Sequence, residues 1–307
     1  MNRYLPIVAS ITVVSLGMWG AYHLKHQSHT TPPNIGTFEK KQNCIGHTHF
    51  LDRITRGAPV AIDLTQQSYR GIAFWVGRKL NRVIHKKSWE RFEHMGTYVS
   101  APNGDMYIAP MPYISIKPTT FNLQKNIYRL DSNTGQLTIW MRLEDVHASS
   151  TNPFGVMAIE YDCDDDTLWV AALDESDYHH ERGVIYHIDI KTKKILQTLH
   201  GVDALSLKLI HTNRGKYLFF GSARKSYLGF YTIKNGQLTS PKQIALHLPD
   251  SNLFIRKIIV TGKNRLLLQT IPFSYTLIAQ TVEQGVRTHY KVYWNEKKGS
   301  WEYEKKR

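Results

Sequence analysis

The sequence is poor in cysteine and lacks several local motifs that define large enzyme classes. Only two cysteines occur among the 307 residues, and no CxxC pair, phosphate-binding glycine loop or serine nucleophile elbow is present. Dithiol redox enzymes, P-loop nucleotide hydrolases and α/β-hydrolases each depend on one of these motifs, so the sequence gives these classes no support. Cys44 and Cys163 either pair, in an oxidising compartment, or remain two thiols, and the sequence leaves both alternatives open.

Acidic side chains are also scarce relative to basic ones. The chain has 39 Lys and Arg against 25 Asp and Glu, a net charge of +14 and a pI near 9.6. Such a charge attracts nucleic acid or anionic lipid headgroups. The basic residues are spread along the chain, and no nucleic-acid-binding motif accompanies them. We therefore expect no nucleic-acid partner and a basic surface near an anionic bilayer.

A long apolar run stands near the N-terminus. Residues 5–24 read LPIVASITVVSLGMWGAYHL, which is long enough to cross a bilayer as one helix. A cleaved signal peptide is the alternative, but no small-x-small cleavage site ends the run. The sequence thus predicts a single-pass membrane protein with its C-terminal domain outside the cytoplasm. The predicted segments are an anchor at 1–25, a linker at 26–43 and one domain at 44–307.

Four short runs of β-branched and aromatic residues follow one another between residues 152 and 199. They are separated by turn residues, which predicts consecutive antiparallel strands. A four-stranded unit of this size is one blade of a β-propeller when it repeats. The predicted strands are Val156–Tyr161, Leu168–Ala172, Val184–Ile190 and Ile195–Leu199.

The same pattern recurs on both sides of this unit. Tyr128, Tyr186 and Tyr231 occupy equivalent places in three outer hairpins, 58 and 45 residues apart, and blade repeats run about 40–50 residues. The sequence predicts an all-β fold, a β-propeller of five four-stranded blades, with six blades as the open alternative. The first blade would begin with a strand at Ile45–Phe50, and the tail Trp301–Glu304 would pair with that blade. Ten apolar positions are expected to be buried between blades: Val156, Ala158, Val170, Ala172, Leu209, Leu218, Phe220, Ile258, Val260 and Leu267.

Polar residues precede the inner strand of each predicted blade, where the loops of a propeller gather around the axial channel. Carboxylate and amide oxygens there suit calcium, and imidazoles suit transition metals, although Asp and Asn also shape turns. A divalent cation such as Ca, Mn or Zn is therefore one open alternative, with Glu144, Asn152 and Asp203 as its predicted ligands. The full set of candidate ligand-binding residues is Glu93, His94, Glu144, His147, Asn152, His200, Asp203, Asp250 and Asn252.

Two histidine motifs have some of the features of a metal site. In the loop DESDYHHE, the neighbours His179 and His180 point in opposite directions if the segment is extended, so they do not easily chelate one ion. In GHTHF, His47 and His49 share a face, but two ligands alone do not make a site. A solvated loop is the simpler interpretation of the first motif.

The third unit reads NPFGVMAIEYDCDDDTLWVAAL followed by GVIYHIDIKTKKI. Through Pro153, Gly155, Leu168, Val170 and Ala171 it resembles one blade of the gluconolactonase, regucalcin and strictosidine synthase-like propellers. The resemblance implies a propeller and a metal-dependent lactonase activity. Phe154 stands where the family has a metal-binding Asn, and the acid after the second strand is displaced to Asp174.

These observations favour a membrane-anchored, extracytoplasmic β-propeller that acts as a binding or scaffold module for a protein or small-molecule ligand. The alternative is a metal-dependent hydrolase of the lactonase type. Whether the chain is an enzyme stays open on the sequence alone.

Overall fold

The computed structural model describes residues 33–39, 44–64, 69–92, 94–112, 120–276 and 287–306. The apolar run at 5–24 lies outside these residues, so the membrane anchor stays a prediction. No helix within the described residues is long and apolar enough to cross a membrane.

Five antiparallel sheets follow one another along the chain and form a five-bladed β-propeller. A short strand, β1 (Phe38–Glu39), and a helix, α1 (His49–Thr55), precede them. Blade 1 has three described strands: β2 (Val60–Asp63), β3 (Ala73–Val76) and β4 (Arg82–Ile84). Blade 2 consists of β5 (Met95–Ser100), β6 (Met106–Pro110), β7 (Asn126–Leu130) and β8 (Leu137–Arg142). Short 3₁₀ helices at Lys87–Phe92 and Phe121–Leu123 lie before and within this blade.

The remaining blades have four strands each, with every strand paired to the next in the chain. Blade 3 consists of β9 (Val156–Asp162), β10 (Thr167–Ala172), β11 (Val184–Asp189) and β12 (Ile195–His200). Blade 4 consists of β13 (Ala204–Thr212), β14 (Gly215–Ser222), β15 (Tyr227–Lys234) and β16 (Gln237–His247). Blade 5 consists of β17 (Leu253–Gly262), β18 (Arg265–Pro272), β19 (Thr288–Asn295) and β20 (Ser300–Lys306).

Two strand predictions at the ends of the propeller are wrong. The predicted strand Ile45–Phe50 instead leads into α1, because Phe50 and Leu51 are buried from a helix, and Phe50 packs edge-on against Trp89 with 6.2 Å between the ring centroids. The tail does not pair with blade 1. It forms β20, the outermost strand of blade 5, where Trp301 lies opposite Trp294.

A segment before blade 1 crosses the turns that join the first and second strands of blades 5 and 4. We call residues 33–39 and 44–48 the N-terminal strap. The Phe38 amide donates to Asn264 Oδ1 of blade 5 at 2.9 Å, and β1 pairs with the inner strand of blade 4. Gly36 has φ +89°, and a Cβ there would lie 2.2 Å from Asn213 Oδ1, so only glycine fits this approach.

The strap then continues past blades 3 and 2. Cys44 and Cys163 form a disulfide, which resolves the alternative that the sequence left open and attaches the strap to the first turn of blade 3. The Gly46 amide donates to the Ala101 carbonyl of blade 2 at 3.0 Å. The strap therefore connects four blades on one face, called the strap face. The opposite face, where loops enter the inner strands, is called the loop face.

Apolar side chains fill the spaces between neighbouring blades. Between blades 3 and 4, Trp169 and Phe220 belong to one buried cluster, and Phe220 stacks on Tyr231 at 5.6 Å. Eight of the ten predicted core positions are buried, but Val260 is 40% exposed and Leu267 is half-buried. A register shift between Val260 and Gly262 accompanies this difference, and in β18 the side chains on either side of Leu267, Leu266 and Leu268, are buried instead.

We expect Phe220→Ala to lower the free energy of unfolding by about 3–5 kcal/mol, because it leaves a cavity between two blades. The matched change Val260→Ala, at an exposed strand position, should cost below about 0.5 kcal/mol. Urea unfolding of the two variants measures both values. Equal losses would contradict the assignment of Phe220 to the space between blades.

Candidate functional site at the axial opening

The inner strands of blades 2 to 5 each carry an extra residue near the loop face. The register between first and second strands skips Met157 in blade 3, Leu205 in blade 4 and Arg256 in blade 5. An extra residue of this kind is a β-bulge, which leaves the ladder locally and re-aims the side chain. The bulges therefore bring these three residues out of the regular sheet at the mouth of the channel.

The Arg256 side chain binds backbone carbonyls at the bulges of blades 3 and 4. Its Nη1 donates to the Leu205 carbonyl at 2.9 Å and to the Met157 carbonyl at 3.3 Å. The side chain is half-buried, and burial lowers the pKa of Arg256 to about 10. Among the described residues no carboxylate forms an ion pair with it. The opening thus contains a positive charge that is neutralised by no described acid.

Apolar side chains from blades 2 to 5 surround this position. Phe273 is the centre of the group, with ring centroids 5.3 Å from Phe154, 6.1 Å from Phe254 and 5.3 Å from Tyr275. We call these four rings the axial aromatic cluster. Phe154 and Tyr275 are buried, whereas Phe254 and Phe273 are half-buried, as is Met111 beside them. Ring surface is therefore exposed at the opening.

Asp203 is the centre of a second network on the loop face. Its carboxylate is fully buried and accepts hydrogen bonds from the Ser176 and Tyr275 hydroxyls and, at 2.8 Å, from the Gly183 amide. Asn152 joins the network through Nδ2, which donates to the Ser176 carbonyl at 2.7 Å. Burial raises the pKa of Asp203 even though these donors act to lower it. The network connects blades 3, 4 and 5 and leaves both carboxylate oxygens engaged.

The structure brings together only some of the predicted ligand-binding residues. Asn152 and Asp203 meet through Ser176, and His147 lies on the same loop system, with Nδ1 3.1 Å from Asp174 Oδ1. Glu144 is exposed and forms an ion pair with Lys125.

The other predicted residues have local roles or lie elsewhere. The Asp250 side chain accepts from the Asn252 amide in a turn, at 3.0 Å, and His200 is exposed at the end of β12. His94 is buried where blades 1 and 2 meet, and Glu93 lies outside the described residues. His47 and His49 are both exposed. The metal ligands predicted from the sequence remain a prediction.

One other group of side chains has the composition of a cation site. Asp162, Asp164 and His211 place ligand atoms within 4.8 Å of one another near the strap face, and no second group of three such residues does so in the described ranges. The Lys216 ammonium already lies among these acids and forms ion pairs with Asp162 and Asp164. Burial acts to lower the pKa of Lys216, but its carboxylate neighbours raise it overall. Lysine therefore supplies the charge that a metal would bring.

Sequence reasoning missed Arg256 and the axial aromatic cluster. The candidates predicted from the sequence are acids, amides and histidines in loops, whereas Arg256 and Phe254 belong to a strand. Phe154 did carry an indication, because it replaces the metal-binding Asn of the family that blade 3 resembles. In the structure its ring packs with other aromatic rings.

No family model matches this chain. No curated protein matches it either. Solved propeller structures do: a gluconolactonase of Xanthomonas campestris has a TM-score of 0.44 at 14% identity, covering 69% of this chain and 65% of its own. An acylaminoacyl peptidase of Pyrococcus horikoshii has a TM-score of 0.36 at 12% identity, covering 76% and 35%. A PQQ-bound aldose sugar dehydrogenase of Streptomyces coelicolor has a TM-score of 0.27 at 11% identity, covering 81% and 99%. With TM-scores below 0.5 at 11–14% identity, these likenesses carry no conclusion about this chain's family or activity.

The raised pKa of Asp203 predicts a pH dependence of stability. A carboxyl whose pKa is higher in the folded state stabilises the fold most at low pH, and this contribution is lost as pH rises from the ordinary value of 3.8 through the folded value. We expect Asp203→Asn to reduce the fall in unfolding free energy between about pH 4 and pH 7. Chemical unfolding at several pH values measures the slope.

The control for this experiment is Asp189→Asn. Hydrogen bonds from Thr192 lower the pKa of the half-buried Asp189, so its stabilising contribution is present above the ordinary aspartate value and is lost only below it. This variant should keep the wild-type slope at higher pH. An unchanged slope in Asp203→Asn would show that Asp203 does not titrate as its burial requires.

Proposed function

We propose that this chain is a small-molecule-binding β-propeller that takes an organic anion at its axial opening. The observation that carries the proposal is the Arg256 guanidinium. It stands on a bulge of the inner strand of blade 5, is held by carbonyls of two other blades and has no carboxylate partner among the described residues. Buried charges in proteins are normally paired, so a charge in this setting favours a ligand of opposite sign.

The hydrogen bonds of Arg256 leave part of its guanidinium available. Among the described residues, only Nη1 donates, whereas Nε and Nη2 make no hydrogen bond. A planar guanidinium matches a carboxylate through two parallel N–H donors, which gives both affinity and orientation. The two carbonyl contacts fix the side chain before a ligand arrives, so little rotamer entropy is lost on binding.

The net positive charge of the whole chain also favours an anionic ligand. A net charge of +14 raises the local concentration of anions and speeds their encounter with the opening. By contrast, the guanidinium of Arg224 is already committed, because it donates to the Asp177 and Tyr178 carbonyls and lies 3.9 Å from Asp203 Oδ2. Arg256 is therefore the cation of the loop face that we assign to a ligand.

We also propose that the domain works outside the cytoplasm, anchored by residues 5–24. The disulfide between Cys44 and Cys163 supports this location, because such bonds persist in oxidising compartments. Two freely alkylated thiols in protein taken directly from cells would contradict it.

Replacing Arg256 tests the anion proposal. We expect wild-type full-length chain to bind benzoate in calorimetric titrations, and Arg256→Met to lower the affinity at least about tenfold, since one charge-assisted pair is lost. Arg256→Lys keeps the positive charge but lacks the two parallel N–H donors of a guanidinium, so it should retain an intermediate affinity. Arg265→Met, an exposed arginine on the neighbouring strand, is the matched control and should bind as wild type does.

Circular dichroism of each variant establishes that the propeller is intact. A folded Arg256→Met that binds as tightly as wild type overturns the proposal. So does a wild-type chain that binds no carboxylate or phosphate probe.

The sequence pattern of blade 3 favours a second candidate, a lactonase-type hydrolase. Opening a lactone with water yields a hydroxy acid, and the new carboxylate is a group that Arg256 would hold. The described residues do not fit the family's metal site, because Phe154 offers no donor atom and both oxygens of Asp203 already accept hydrogen bonds. Glu144 is paired with Lys125.

Lactone hydrolysis and metal binding are measured together for this candidate. From the poor fit of the described residues we expect the melting temperature of chelator-treated chain to stay unchanged on adding calcium, manganese or zinc. A rise that Glu144→Ala abolishes, together with lactone hydrolysis above the buffer rate, would establish the hydrolase instead. Glu144 is exposed, so this substitution tests the metal without disturbing the fold.

A further inference from the structure

We infer that the anion taken at the axial opening has a flat apolar body, so that the ligand is an aromatic carboxylate and not a polyhydroxylated sugar acid. This inference rests on the proposed function and deepens it.

The residues that position Arg256 belong to an apolar surrounding. Met157 and Leu205, whose carbonyls hold the guanidinium, have buried side chains in the same cluster as Phe154 and Tyr275. Any group held by Arg256 therefore approaches a wall of carbon atoms. A ligand body with apolar surface gains free energy by covering that wall, whereas a hydrated body loses water without replacing it.

The wall still has exposed ring surface. Phe254 and Phe273 are half-buried, and their rings meet at an interplanar angle of 70°. Tyr275 continues the row, and Tyr178, which is 61% exposed, packs edge-on against Tyr275 at 5.5 Å. Aromatic rings prefer tilted or offset contacts at centroid distances of about 4.5–7 Å, so a planar ligand ring can extend this row.

Polar groups near the opening are already paired with one another. The Tyr275 hydroxyl donates to Asp203, Ser176 also donates to Asp203, and Asn152 uses its side chain on backbone groups. The Tyr178 hydroxyl is paired with Ser274 Oγ. A sugar acid needs partners for several hydroxyls, and a buried hydroxyl without a partner costs binding free energy. These groups offer no such partners without breaking their own network.

Specificity is measured by titrating the full-length chain with three probes that share a carboxylate: benzoate, acetate and gluconate. We expect benzoate to bind at least about tenfold more tightly than either of the others, because it alone covers the aromatic wall. Phe273→Ala should remove most of this preference, because it removes the ring at the centre of the wall. Phe254→Leu, a milder change on the same wall, serves where Phe273→Ala does not fold.

Tyr303→Ala is the matched control, since Tyr303 is a partly exposed aromatic residue on the outermost strand of blade 5. It should bind all three probes as wild type does. Equal affinities for the three probes, all lost in Arg256→Met, would overturn the aromatic inference and keep the anion site. Tighter binding of gluconate would overturn it in favour of a sugar acid. Absence of binding by every probe would remove the anion site itself.

Discussion

Two hydrogen bonds from one guanidinium connect three blades at the mouth of the channel. Arg256 of blade 5 reaches the carbonyls of Leu205 in blade 4 and Met157 in blade 3. These carbonyls belong to the extra residues of bulged strands, and an uninterrupted ladder would direct the backbone groups to neighbouring strands instead. The chemistry of the opening therefore depends on register shifts of one residue. They place a fixed positive charge at the mouth of the channel.

The opposite end of the propeller is held by different means. The N-terminal strap crosses the turns of blades 5, 4, 3 and 2, using backbone hydrogen bonds, a close approach at Gly36 and the bond between Cys44 and Cys163. This segment lies on the strap face, so the candidate site on the loop face is formed by loops and bulges at the other end of the blades.

Three charged side chains of the loop face differ in how they are paired. Asp203 is buried, and both of its carboxylate oxygens accept hydrogen bonds. These hydrogen bonds connect three blades. Arg224 is satisfied by carbonyls of the neighbouring loop. Arg256 differs from both, because it is fixed in place and yet has no acid beside it among the described residues. Under the proposed function an anionic ligand would neutralise this guanidinium, whereas a metal cation would not.

Sequence patterns were sufficient to predict the strands of blades 2 to 4, but they were insufficient to predict most residues of the candidate site. Strands of blades 2 to 4 and two members of the Asp203 network were predictable, because alternating apolar residues and turn residues act over a few neighbours in the chain. Blade 1 was misassigned at its start, since the predicted strand Ile45–Phe50 ends in α1, a helix of seven residues whose buried Phe50 resembles a strand position when only six residues are read. Glu144 was selected by its position in an entering loop, but an ion pair with Lys125 engages it on the surface.

The all-β class, the four-stranded units of blades 2 to 4 and eight of the ten apolar positions between blades were determined by the sequence alone, because they follow from local periodicity. Only the tertiary structure decided that Cys44 meets Cys163 across 119 residues, that β20 completes blade 5, and that Arg256 faces the channel. The physical reason is the same in each case. Strand register, bulges and contacts between blades are set by packing between distant segments, and a shift of one residue changes which side chain reaches the axis.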